Sequence, residues 1–221
     1  MKIADDLYCY EWTDYFENNC NSFYIGGRTG MLIDPGLEAH VPDLLRRMSA
    51  DGIDGSDIRY VINTHSHPDH FEGSAYFTGS NISIGLHADE LSFLAGAGGE
   101  LYSLFGLAPP RVPVDLELAD GFLSLGGEEF QVIHVPGHSP GSVAIYWPKL
   151  MALFPGDVIF NQNVGRTDFP GGNGNLLKKS ITKLSSLEVA WLLPGHMDII
   201  VGTENVKRNF ATVIKNIFPY L

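Results

Sequence analysis

Three apolar runs in this 221-residue chain end in Pro-Gly followed at once by a residue able to bind a metal. They are Val132-Ile133-His134-Val135 before Pro136-Gly137-His138, Ala152-Leu153-Phe154 before Pro155-Gly156-Asp157, and Trp191-Leu192-Leu193 before Pro194-Gly195-His196. Each reads as a buried strand closed by a tight turn that presents one His or Asp at the rim of a sheet. A fourth ending is denser. Thr64-His65-Ser66-His67-Pro68-Asp69-His70 follows the apolar run Tyr60-Val61-Ile62-Asn63 and sets three imidazoles and one carboxylate on a strand-to-helix loop. Such nitrogen and oxygen donors are the kind that zinc or iron takes. His65 and His67, two apart, can point the same way from extended backbone. Pro68 bends the chain, so that Asp69 and His70 approach a neighbouring point. The whole is the layout of a site for two adjacent metals.

Each histidine alone carries little weight. His138 or His196 in isolation would be a hydrogen-bonded structural residue, as His87 and His134 would be, and His40 a solvated one. A joint cluster is another matter, because burying ionisable groups is costly unless they are paired or metal-bound. A purely structural zinc fits poorly: such sites are four-coordinate, closed and cysteine-rich, whereas this set has more donors and no thiolate. Cys9 and Cys20 are the only cysteines. They make no CxxC pair and no disulfide framework, so reduced thiols are expected.

Around these endings the hydrophobic pattern predicts mixed α/β structure. Leu7-Tyr8-Cys9-Tyr10, Ser22-Phe23-Tyr24-Ile25 and Met31-Leu32-Ile33 read as short strands, with a hairpin turn over Gly26-Gly27-Arg28-Thr29-Gly30. Val41, Leu44, Leu45 and Met48 predict an amphipathic helix over roughly 38–50. A strand follows at Ile82-Ser83-Ile84-Gly85-Leu86, then helical pieces over roughly 90–107 broken by Gly96-Ala97-Gly98-Gly99. Strands return at Phe122-Leu123-Ser124-Leu125, Glu129-Phe130-Gln131-Val132-Ile133 and Ser142-Val143-Ala144-Ile145-Tyr146. Leu176, Leu177, Ile181, Leu184 and Leu187 predict one helical face. Val206, Phe210, Val213, Ile214 and Ile217 predict another, with Thr203 as its cap. This order suits sheets covered by outer helices in layers. No break in composition marks a second domain, and one domain over 1–221 is expected.

The formal charge of −12 argues against nucleic-acid partners, which need clustered Lys and Arg. Met1-Lys2-Ile3-Ala4-Asp5-Asp6 lacks an apolar signal region, and no stretch is long enough to span a bilayer. A cytoplasmic protein with a small-molecule substrate and no membrane partner is expected; the sequence is silent on oligomeric state.

At the His-x-His-x-Asp-His loop and the three later donors, the chain resembles the metallo-β-lactamase superfamily. The resemblance runs from Leu32-Ile33-Asp34-Pro35-Gly36 to Pro194-Gly195-His196. It implies a four-layer αββα sandwich with the metals at one edge of two facing sheets. It also implies a ligand set: His65, His67 and His138 on the first metal, Asp69, His70 and His196 on the second, and Asp157 between them. Exported β-lactamases, many with a cysteine ligand where Asp157 stands, fit less well. So do nuclease branches with basic surfaces, and flavodiiron-type members with Glu at the position of His67. The Gly165-Arg166-Thr167-Asp168-Phe169 stretch resembles the glyoxalase II-like group and the neighbouring persulfide dioxygenases. Only one helix follows His196, where full-length glyoxalase II has a helical region that grips glutathione.

The expected activity is hydrolysis of a small thioester or ester by two divalent ions, zinc first, with iron and manganese able to use the same ligands. Asp69 is the expected catalytic carboxylate, orienting the attacking water while ligating. The competing expectation is a mononuclear iron persulfide dioxygenase on His65, His138 and Asp157; a non-catalytic metal-binding module is a third. Arg166 has two readings, a fork on a substrate carboxylate or an internal pair with Asp168. Tyr102 is the other candidate for substrate contact, with Phe105, Tyr15 and Phe16 as further wall residues. For these aromatics ordinary packing is the alternative.

Overall fold

Alternation along the strands sorts their side chains into three apolar clusters. Phe23 and Ile25 enter one cluster while Tyr24 between them enters another, and Met31 and Ile33 part from Leu32 in the same way. Phe130 and Val132 part from Ile133, and Ala152 and Phe154 from Leu153. Period-two alternation with both faces buried is what a sheet covered on both sides requires. The computed structural model describes residues 1–14 and 16–221.

The first sheet runs in chain order: β1 (Lys2–Ala4), β2 (Leu7–Tyr10), β3 (Ser22–Ile25), β4 (Met31–Ile33), β5 (Tyr60–Ile62), β6 (Ser83–His87) and β7 (Leu116–Leu118). Its first four strands pair antiparallel. From β4 to β7 the pairing is parallel, because the intervening segments are long enough to cross over. Those crossovers hold α1 (Val41–Ala50), α2 (Pro68–Phe71), α3 (Ala88–Leu94) and α4 (Ala97–Leu104). The second sheet contains β8 (Gly121–Leu125), β9 (Glu128–His134), β10 (Val143–Trp147), β11 (Ala152–Phe154), β12 (Trp191–Leu192) and β13 (Ile200–Val201). It is antiparallel except for β11 and β12, which α5 (Gly174–Leu184) separates in sequence.

Leu7, Phe23, Ile33, Ile62, Phe130, Val132, Ile145 and Phe154 fill the space between the sheets. Val41, Leu44 and Met48 of α1 cover the outer face of the first sheet against Leu32, Val61 and Ile84. Leu177, Ile181 and Leu184 of α5, with Val206, Phe210 and Val213 of α6 (Thr203–Asn216), cover the second. The four αββα layers are those the resemblance implied. Among the described residues no helix is long and apolar enough to cross a membrane.

Local expectations fare unevenly. The first helix begins at Val41, preceded by a 3-10 turn over Glu38–His40. Gly96 alone breaks the segment before β7, and Gly98 and Gly99 lie inside α4. Leu176 points outward, and Leu187 lies beyond the end of α5. Thr203 does not cap α6: Gly202, at φ 96°, occupies that position with no side-chain bond. Cys9 and Cys20 are free and buried, and burial pushes both thiols up to about 12.

Candidate metal centre

The four donor-bearing endings meet where the two sheets abut. The His65–His70 segment leaves β5 of the first sheet, while His138, Asp157 and His196 follow β9, β11 and β12 of the second. Hydrogen bonds between the sheets stitch this seam. Val143 N–H donates to Thr64 O at 2.8 Å, and Asn21 Nδ2 donates to Pro194 O at 3.0 Å and Met197 O at 2.9 Å. Backbone clearance at the seam is small. A Cβ on Gly195 would lie 2.6 Å from His70 Cε1, and one on Gly165 would lie 2.8 Å from His138 Nδ1, so neither turn tolerates a side chain.

All seven predicted donors come together. Three sets form, His65 with His67 and His138, His65 with His70 and Asp157, and Asp69 with His70 and His196, each with donor atoms within 4.8 Å of one another. All are buried except His196, which is partly exposed. Nε2 of His65, His67 and His138 are buried with no hydrogen-bond partner, and Asp157 Oδ1, also buried, lies 3.2 Å from His70 Nε2. Orphaned polar atoms are rare in protein interiors, and three imidazole nitrogens within 4.8 Å of one another fit a bound cation. The donor set, nitrogen and carboxylate oxygen without sulfur, suits zinc, iron or manganese.

The far sides of three rings are fixed, those of His65, His70 and His138. His138 Nδ1 donates to Arg166 O at 2.7 Å, and His65 Nδ1 to Thr64 Oγ1 at 3.1 Å, which leaves each Nε2 lone pair facing inward. His70 Nδ1 lies 2.9 Å from Asp34 Oδ2. Asp34 also accepts from Thr64 N–H and Thr64 Oγ1, each at 2.7 Å. It is buried, at φ 51°. Neither Asp34 nor Thr64 was assigned a role from sequence; an Asp directly after a strand and before Pro-Gly was the available signal.

The profile of the metallo-beta-lactamase superfamily matches residues 15–196. The chain belongs to that superfamily. Among its relatives, the hydroxyacylglutathione hydrolase GloC of Haemophilus influenzae is 31% identical over 196 residues, covering 84% of each chain. A B3 metallo-beta-lactamase, BLEG-1, superposes with TM-score 0.77 at 28% identity, over 97% of this chain and all of its own. TTHA1623, solved in a di-iron-bound form, superposes with TM-score 0.70 at 32% identity, over 91% of this chain and 95% of its own.

Within this superfamily frame the two halves of the centre differ in charge. Burial drives His65 well below the usual histidine range, His67 down to about 3, and His138 down as well. In the other half burial again opposes charge, but the carboxylates prevail. Asp157 and Asp69 raise His196 to about 10, and Cys20, then Asp157 and Asp34, raise His70. Against its own burial, Asp69 is held near 2 by His196 and His70. The contacts are short: His196 Nε2 lies 3.2 Å from Asp69 Oδ2 and 3.4 Å from Asp157 Oδ2.

A cavity of about 350 Å³ opens onto the donors, walled by Phe105, Phe160, Phe169, Val164, Met197 and Arg166. Arg166 forms the internal pair with Asp168, with bonds of 2.9 and 2.7 Å, and its guanidinium lies 4.0 Å over the Phe169 ring. Tyr102 is a correction. It is fully buried and its hydroxyl donates to Ser66 O at 3.1 Å, so it braces the histidine loop from behind rather than facing a substrate. Its place on the inner face of α4 decides this, while Phe105, just past the helix end, reaches the opening. Phe16 is fully exposed and lines no part of the cavity; Tyr15 lies outside the described residues. His87 and His134 stack at 4.4 Å, and the first accepts Asp89 N–H while the second meets Pro140 O. Their backbone bonds match the structural role expected of them, although with Asp89 they form a fourth donor group.

Proposed function

We propose that this protein is a dinuclear metal-dependent hydrolase of a small thioester or ester. The observation that carries the reading is the convergence of three orphaned, buried imidazole nitrogens from both sheets beside the Asp69, His70, Asp157 and His196 donors. His65, His67 and His138 would hold one ion, Asp69, His70 and His196 the other, with Asp157 between them. When bound, two divalent ions lower the pKa of a water towards neutrality and polarise a carbonyl. Asp69, an anion facing the cavity, orients the attacking water by accepting its hydrogen bond. Asp34 and Thr64 keep the rings in register, and the Phe105, Phe160 and Phe169 wall shields an acyl chain from bulk water. Attack forms a carbon–oxygen bond, the carbon–sulfur bond breaks, and a thiolate leaves with little need of a proton. A relative named for hydroxyacylglutathione hydrolysis supports the thioester class.

The test is metal content of protein purified without added metal or chelator, followed by turnover of a panel of hydroxyacyl thioesters, simple esters and a β-lactam. About two metal atoms per chain with thioester or ester turnover is expected. One iron per chain with oxygen uptake on a thiol persulfide, or β-lactam opening alone, overturns the reading.

A further inference from the structure

We infer that Glu90 is a positioning residue of the metal centre, clamping the loop that carries His65 and His67 to the loop that carries His138. Glu90 lies in α3, which opens directly after β6, and is fully buried. Its two carboxylate oxygens divide their partners. Oε2 accepts Ser66 N–H at 2.8 Å together with the Ser66 hydroxyl. Oε1 accepts Gly141 N–H at 2.7 Å together with the Ser139 hydroxyl. Ser66 stands between His65 and His67, and Ser139 directly follows His138. One rigid group therefore fixes the separation of two loops that come from different sheets.

Neighbouring features point the same way. Ser66 is gripped from its other side by the Tyr102 hydroxyl, and Ser139 is held by Ser142 Oγ at 2.7 Å. Gly141 leaves room for the approach, since a Cβ there would lie 2.7 Å from Glu90 N and 2.9 Å from Glu90 Cγ. All four partners of the carboxylate are neutral donors. A buried carboxylate without a cation is an expensive way to fill space. What it supplies that an apolar side chain cannot is a two-sided link, each oxygen committed to one ligand loop. Asp34 holds Thr64 and His70 within a single loop; Glu90 holds two loops together.

The inference rests on His65, His67 and His138 being ligands, and the experiment separates the two ideas. Zinc and cobalt(II) affinities are measured by chelator competition on wild-type, Glu90→Gln, Glu90→Asp and Ser139→Ala proteins, with the cobalt(II) absorption spectrum and metal-free thermal unfolding recorded alongside. Gln keeps the size but turns an amide N–H₂ toward two donors. Expected for Glu90→Gln is a loss of tight binding by about 10–100-fold, the range for groups that orient ligands, with an altered cobalt spectrum. Glu90→Asp regains part of the affinity, and Ser139→Ala, which removes one arm, loses less than Glu90→Gln. If Glu90→Gln does not fold, Ser139→Ala decides on its own spectrum and affinity. Wild-type affinity and spectrum in the variants, with only the unfolding temperature lowered, make Glu90 a structural residue and overturn the inference. A wild-type chain that takes up no metal overturns the ligand assignment itself, and this inference with it.

Discussion

Around His65, His67 and His138 the inward ring nitrogens make no hydrogen bond, with Asp157 Oδ2 3.5 Å from His138 Nε2, whereas those of His70 and His196 face carboxylates at 3.2–3.4 Å. The first group is neutral and poised, with its lone pairs already aimed. The second is a network of ion pairs in which protons occupy positions that a cation would take. Two different supports go with them, since Glu90 links loops across the seam while Asp34 works within one loop. The difference teaches that one fold prepares adjacent sites by different physics: one by stripping imidazoles of partners, the other by saturating them with charge.

The harshest way to break this contrast is to remove the residue that faces both halves. Asp157→Ala, and equally His67→Ala, is expected to lower turnover on the order of 10³-fold, because several kcal/mol of charge stabilisation go with the ions. Circular dichroism should stay native while metal content drops; a fully active variant would sink the mechanism. Asp34→Asn acts on the second half directly, at His70, and on the first only through Thr64 and His65. It should weaken the second equivalent of metal by about 10–100-fold and the first by less, the reverse of Glu90→Gln. Equal weakening of both equivalents by both variants would erase the distinction.

Acidity offers a gentler probe. His67 titrates near 3 in the fold, below its unfolded value, so no proton competes with a metal there between about pH 6 and 8. His196 titrates near 10, so at neutral pH its proton must leave as the metal enters. Affinity for the second equivalent should therefore rise up to about tenfold per pH unit for each proton displaced, while the first stays nearly flat. Calorimetric titration in buffers of different ionisation enthalpy counts those protons, and equal proton release from both equivalents would refute the contrast. The smallest effect concerns the cavity rim: Arg166→Ala breaks an exposed pair and should leave the urea-unfolding midpoint close to that of the wild type.

What sequence revealed here follows from what local chemistry can encode. Strands ending in Pro-Gly and a donor announce themselves, because turn residues, strand pattern and ligand lie next to one another in the chain. So the seven donors and the two covered sheets were legible. Glu90 was not, since its partners Ser66, Ser139 and Gly141 lie 24, 49 and 51 residues away and Glu on a helix ordinarily faces water. Tyr102 and Phe105 look equivalent in a glycine-broken segment; only the helix that forms there turns one inward and leaves the other at the cavity. The start of α6 went to a glycine because a left-handed residue can open the helix without a side-chain cap.

The first sheet is built wholly from residues before 119 and the second wholly from residues after 120, yet their donors meet only where the sheets abut. Each sheet pairs strands close in sequence, but the centre needs encounters between the two sheets, His70 with His196 being 126 residues apart, and such non-local contacts form slowly. The full donor set exists only once both sheets have docked, so a metal bound there would read out a completed molecule.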